Sequence, residues 1–425
     1  MDQPSKPLSS FRILIIGLVT VIVVLGVALI ILVIGHAGAQ VNLGEVDVLA
    51  NSSDECVTCH RNATPGIVNQ LSHSTMAAAD VTCRDCHEVA SDYSGAVEHE
   101  GVYVLAAPTT AMCEKCHQAE VAQFYQSRHS LPAYVAVAGS KDLSPTLVAM
   151  YQAIPEGSFA PDKARNAIAA LEGSKITPFA CENCHSIGVP AADRSVGRCQ
   201  KCHIRHEFSL EQARKPETCN NCHIGPDHPQ WEIYQESAHG ILYATMGSTW
   251  NWDAEAGNLS VTDFPAPTCA LCHMSGFGAT GTTHDVGDRL SWFLFASISQ
   301  QRPSWQDNRS RMQTVCFECH NENFIKDMYT AADDATQQVI TWVQESNDLV
   351  APLQEQGLIN TNNFDEPIDF TYFNLWHYWG RTTKFGVWMQ GPDYSQWHGA
   401  YPLMETMADL REMVNAKVQA AGATP

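Results

Sequence analysis

The chain has 425 residues, enough for two or more ordinary domains, and a formal net charge of −21. Such acidity argues against nucleic acid as a partner and favours basic ones, such as a small positively charged cytochrome. Its 16 cysteines and 18 histidines are the most telling part of its composition.

Residues 13–34 form an uninterrupted run of 22 residues without a charge, long enough to span a bilayer. Lys6 and Arg12 precede it and place residues 1–12 in the cytoplasm. Ala37-Gly38-Ala39 beyond it resembles a signal cleavage site, but the length of the run favours an uncleaved anchor. The expected arrangement is a membrane-anchored protein whose bulk lies on the periplasmic, extracytoplasmic side. Residues 35–55 read as a polar linker.

Every cysteine then falls in one word, Cys-x-x-Cys-His, which occurs eight times. The copies are Cys56-Cys59-His60, Cys83-Cys86-His87, Cys113-Cys116-His117, Cys181-Cys184-His185, Cys199-Cys202-His203, Cys219-Cys222-His223, Cys269-Cys272-His273 and Cys316-Cys319-His320. This is the attachment word for haem c. Two thiols form thioethers to the haem vinyl groups, and the histidine offers a ring nitrogen to the iron. Positions i, i+3 and i+4 share one face of a helical turn, so one short segment holds the porphyrin. Zinc sites also use paired cysteines but do not require the adjoining histidine. A disulfide framework would leave the histidines unexplained.

The words start 27, 30, 68, 18, 20, 50 and 47 residues apart, so there is no solenoid period. The expected fold is mainly α: a multihaem cytochrome c of short helices and loops around eight haems (residues 56–330), long C-terminal helices (331–425) and one N-terminal transmembrane helix. Three words crowd into 181–223, which predicts haems in close contact. A helical insert is expected at 161–171. A long helix is expected over 331–353, with Val339, Val343, Val350 and Leu353 on one stripe, polar Ser346 at the step, and Pro352 ending or kinking it. A final helix over 405–418 carries Met407, Leu410 and Val414 on one side. These stripes suit either an internal core or an oligomer seam.

Eight histidines belong to the words, and His36 borders the apolar run. The nine others are His73, His99, His129, His206, His228, His239, His284, His377 and His398. Eight irons ligated on both faces would need eight of them, so counting leaves open whether one iron keeps a free face. His206 follows His203 too closely to cap the same haem and is expected to serve a neighbour.

The segments CENCHSIG and GRCQKCHIRHEFSLEQARKPETCNNCHIGPDHPQWEIYQESAHG, with TTHDVGDRLSW and the closing GPDYSQWHGAYPL, resemble the octahaem hydroxylamine oxidoreductase family, which includes hydrazine-oxidising and nitrite-reducing relatives. The resemblance spans nearly the whole chain beyond the apolar run. It implies that the fourth haem, on Cys181 and Cys184 with His185 beneath it, is catalytic and open on one face. It assigns Asp227 and His228 to the distal pocket. It draws the distal ligands of the other haems from His73, His129, His206, His239, His284 and His398, with His99 or His377 as the seventh. In oxidising members a tyrosine from a neighbouring subunit cross-links to the catalytic haem. Tyr394 is the best candidate here, with Tyr378 and Tyr401 behind it. The resemblance further implies hydroxylamine oxidation, with nitrite or hydroxylamine reduction to ammonium as the alternative, and a homotrimer. A redox partner, either a cytochrome or a quinone-linked membrane protein, is expected. A reading from another class is an electron-transfer cytochrome with every iron capped.

Overall fold

The computed structural model describes residues 47–154 and 160–422. The chain divides into two units, 1–52 and 53–425, and the fold below is that of the second. The expected membrane span at 13–34 lies outside the described residues. Among the described residues no helix is long and apolar enough to cross a membrane.

Ahead of Trp305 the described chain is a succession of helices of nine residues or fewer. Local capping defines them. Ser74, Ser144, Ser209, Ser237, Asn166 and Thr268 each accept a backbone N–H of the first turn they precede. Two antiparallel ribbons interrupt them, Val97–His99 with Val102–Val104, and Trp292–Phe293 with Gln300–Gln301. In the region expected to be helical at 161–171, only Ala167–Glu172 forms a helix. It starts where Asn166 can cap it, and the polar, charged stretch before it makes turns instead.

The apolar interior is split into small clusters. One gathers Leu131, Val135, Leu147, Tyr151, Ile154 and Val196, and another is built on Trp250, Trp252, Phe264 and Phe277. A third fills the C-terminal layer. There a helix of 34 residues, Glu322–Glu355, starts at the Asn321 cap, earlier than the apolar stripe alone suggests. Pro352 does not stop it. The proline sits in the last turn, and three more residues follow.

A second C-terminal helix runs as Pro367–Asn374, passes through a π-helical turn at Leu375–Gly380, and continues as Arg381–Met389. Gln390, in the left-handed region at φ 61°, ends it. The chain then folds back through Pro392–Ser395, a second π-turn at Gln396–Ala400, and the closing helix Tyr401–Ala420. Gly386 allows the close return, since a Cβ there would meet the Ser395 backbone nitrogen at 2.6 Å.

The two stripes read from the sequence meet each other inside this chain. Val339, Val343, Val350 and Leu353 share one core with Leu375, Leu403, Met407, Leu410 and Val414. Ser346, fully buried, satisfies its hydroxyl on the Val343 carbonyl at 2.7 Å. Leu410 is 0% exposed, so Leu410→Ala should cost about 2–5 kcal/mol, measured as a lower melting temperature at unchanged haem absorbance. Arg309 joins the helix Trp305–Phe317 to the long helix through a two-pronged pair with Asp333, at 2.8 Å on both oxygens.

Candidate haem sites and active-site cluster

The words at Cys56, Cys83, Cys181 and Cys269 lie on helices. The other four sit at helix ends or in a tight turn. In each of these the histidine N–H still bonds to the first cysteine carbonyl: His117 to Cys113, His203 to Cys199, His223 to Cys219 and His320 to Cys316, at 2.9–3.0 Å. All eight words therefore take the same one-turn shape, with both thiols and the imidazole on a common face.

Words remote in sequence adjoin in space. The thiols of Cys113 and Cys199 act on each other at close range, as do those of Cys184 and Cys222 and of Cys219 and Cys269. Cys56 acts electrostatically on Cys83, Cys116 on Cys86, Cys219 on Cys202, and Cys316 on Cys272. The words at Cys56, Cys83, Cys113, Cys199, Cys219, Cys269 and Cys316 thus form one spatial series, with the Cys181 word branching beside Cys219–Cys222.

The histidines test whether haem fits. Five histidines of the words face a second imidazole: His60 with His99 at 6.0 Å between ring centres, His87 with His206 at 6.3 Å, His203 with His284 at 6.2 Å, His223 with His129 at 5.9 Å and His320 with His239 at 6.1 Å. Two metal–imidazole bonds of about 2 Å each, plus the distance from each nitrogen to its ring centre, account for this spacing. His223 also meets His228 edge-on at 5.8 Å. Several rings are also anchored through Nδ1: His87 on the Leu105 carbonyl at 2.6 Å, His185 on Ala133 at 2.7 Å, His60 on the Thr64 hydroxyl at 2.8 Å and His223 on Gln230 at 3.2 Å. That leaves Nε2 to bind a metal. The residues present fit covalently attached haem c.

His117, His185 and His273 are the word histidines outside these five pairs. His73 lies with Nδ1 on the Asn69 carbonyl at 2.7 Å. His398 stacks on Tyr394, centres 4.8 Å apart, and pairs with Asp393 at 2.8 Å. Tyr394 also feels Glu232 and Glu236, whose charges, after burial, push its hydroxyl up.

Around His185 the neighbours are of another kind. His228, Asp227 and Arg381 act on it electrostatically. Asp227 Oδ1 accepts from His228 Nδ1 at 2.5 Å, and Oδ2 accepts from Arg381 Nη1 at 3.3 Å, with His377 Nε2 at 3.9 Å. Arg381 Nη1 also donates to His377 Nε2 at 2.8 Å. His228 Nε2 faces the Cys222 carbonyl at 2.8 Å. With an acceptor on each nitrogen, the ring satisfies both only as imidazolium.

The electrostatics agree. Burial alone would lower His228 and raise Asp227, but their mutual hydrogen bond and charge turn His228 up and Asp227 down. Burial and Arg381 push His377 down to about 3, so it is the neutral acceptor. Burial lowers Arg381 only to about 10, so it stays charged. Thr382 ties this helix to the Asp227 loop by donating to the Pro226 carbonyl at 2.8 Å. Tyr378 lies within reach of both Asp227 and Cys181.

Sequence reasoning singled out Asp227 and His228 but gave Arg381 no role and held His377 only as a ligand. The signal it could have used is His377-x-x-x-Arg381, two residues on one helical face.

The sequence matches the family described as "Seven times multi-haem cytochrome CxxCH" over residues 79–367. A curated relative, the "probable nitrite reductase-hydroxylamine oxidoreductase fusion protein" of Kuenenia stuttgartiensis, is 27% identical over 52% of this chain and 25% of its own. The match thus spans about a quarter of that relative's length. Two solved structures share the fold. A "hypothetical multiheme protein" superposes with TM-score 0.75 at 20% identity, over 90% of this chain and all of the other. A "reducing HAO-like protein complex" of Kuenenia stuttgartiensis gives 0.63 at 20% identity, over 86% and 85%.

Proposed function

The chain belongs to the multihaem CxxCH cytochromes and is related to the hydroxylamine oxidoreductase and nitrite reductase proteins among them, and from that premise we propose an octahaem enzyme that converts a small nitrogen compound at the haem of Cys181 and Cys184. The observation that carries this reading is the buried Asp227–His228–His377–Arg381 cluster beside His185, where five other word histidines meet a second imidazole. On this reading the five facing pairs are axial ligand pairs, which favours His99 over His377 as a ligand. His73 and His398 remain for the irons of His117 and His273. The connected words are the electron path.

Haem c on this word supplies the redox chemistry and a coordination position for a small ligand. The chain's own groups supply the rest. Arg381 and the His228 imidazolium outweigh the one carboxylate, so the pocket attracts an anion. His228 holds a proton at Nδ1 or Nε2 to give to a reacting nitrogen or oxygen. Asp227 orients that ring and stabilises its charge, and Arg381 fixes the carboxylate.

Net positive charge and a ready proton donor favour nitrite reduction to ammonium over oxidation of neutral hydroxylamine. Hydroxylamine oxidation is the second reading. It would require Tyr394, which is half-buried, to reach the haem of a neighbouring copy. The proposal includes export, anchoring through residues 13–34, a homotrimer, and exchange of electrons with a cytochrome or quinone-linked partner.

The test is steady-state kinetics of wild type and Arg381→Leu with both substrates. The KM for nitrite should rise by about one to two orders of magnitude, with far less change for hydroxylamine and partial recovery in Arg381→Lys. Equal losses on both substrates would make Arg381 structural. A wild type inactive on both would leave electron transfer as the better account.

A further inference from the structure

Beside the cluster stands a hairpin the reaction has not yet used. The ribbon Trp292–Phe293 with Gln300–Gln301 encloses a tip of residues 294–299. Phe295 is on that tip. Its ring centre is 6.2 Å from that of His228, and the Arg381 guanidinium lies 5.3 Å over its face. Phe385 closes the far side at 5.1 Å.

The tip is fastened by one face of one helix. Arg381, Lys384 and Phe385 stand at i, i+3 and i+4. Arg381 Nε donates to the Phe295 carbonyl at 2.8 Å. Lys384 Nζ donates to the Ser299 hydroxyl at 2.7 Å and to the Ala296 carbonyl at 3.4 Å. Lys384 is 1% exposed, and burial, with Arg381 adding to it, brings its ammonium down to about 7. A lysine buried at that cost and spent on a loop tip fixes the tip in place.

We propose that Phe295 is a specificity-determining residue: an aromatic wall, fixed by Arg381 and Lys384, that limits the space beside His228 to compounds of a few heavy atoms. This rests on the reading of the His185 haem as the open one. The same guanidinium that faces the substrate holds the wall's backbone, so charge recognition and size limit share one group.

The experiment uses the purified, fully haem-loaded protein, reduced, and follows haem absorbance during titration with carbon monoxide and with n-butyl isocyanide. In wild type, carbon monoxide should bind and the isocyanide should bind far more weakly. Phe295→Ala should tighten isocyanide binding at least about tenfold and leave carbon monoxide within about twofold. Phe295→Leu, a smaller cut that keeps an apolar side chain, guards against a folding defect and should move the ratio the same way by less. If both variants bind carbon monoxide normally and the ratio does not move, Phe295 is not the wall. If carbon monoxide binds no haem of the wild type, the open-haem reading falls and this inference with it.

Discussion

Asp227→Ala should lower turnover on the order of 10²- to 10⁴-fold while the haem-to-protein ratio stays as in wild type. The carboxylate has two tasks. It accepts from His228 at 2.5 Å, which holds the ring in place and keeps it protonated, and it balances Arg381 at 3.3 Å. Without it His228 also loses the partner that keeps it protonated, so the pocket's net charge is nearly unchanged while the oriented donor is lost. The nitrite KM should therefore change little while kcat collapses.

Removing one member of a buried pair also costs stability, up to about 3–5 kcal/mol. The Asp227 and Arg381 side chains are 21% and 12% exposed, so screening is weak. Asp227→Asn, which keeps the shape and drops the charge, separates the two effects: it should fold better than the alanine variant and remain slow. Loss of haem in both variants, measured by the pyridine haemochrome, would mean that Asp227 supports attachment rather than turnover.

The second large effect is expected at another word. Arg289 is 1% exposed and donates to five carbonyls: Leu271, Cys272, Met274, Ser275 and Gly281, at 2.7–3.2 Å. It acts as an internal clamp on the word Cys269-Cys272-His273 and on the turn that follows. Its charge, added to burial, also presses His273 down to about 4. Arg289→Met would leave these buried acceptors without their donor, each at about 1–3 kcal/mol before relaxation. The expected result is a protein short of one haem, or one that melts well below wild type. A fully loaded variant of unchanged melting temperature would show that water replaces the guanidinium without loss.

The words were legible in the sequence because covalent attachment demands fixed spacing, and no fold can relax that. The stripes of the C-terminal helices were legible for a similar reason: Val339 and Val343 on one, and Met407, Leu410 and Val414 on the other, repeat at helical intervals. What they pack on was not, since one apolar stripe suits a core or a seam equally well. The 34-residue helix began earlier than its stripe because Asn321 caps it, a local polar signal outside the apolar pattern. Pro352 did not break it because a proline near the last turn removes little of the hydrogen-bond ladder. Asp227 and His228 stood out only through the family resemblance of the segment GPDHPQ. Arg381 comes 154 residues later, and only the folded chain brings it to them. The same holds for the facing imidazoles, whose partners lie on different segments.

The two π-turns carry a consequence for the phase of their helices. One residue corresponds to about 100° of helical rotation, and a π-turn is in effect one residue inserted into an α-helix. Ahead of the first, Ile368 points into the C-terminal core. Beyond it, Arg381 and Lys384 point to the Asp227 loop and the hairpin tip. An unbroken α-helix would hold the two faces at one fixed angle. The extra residue works as a rotary spacer, letting the scaffold and the reactive face be set independently. Related chains that lack this spacer would aim a different set of side chains at Asp227 from the same scaffold.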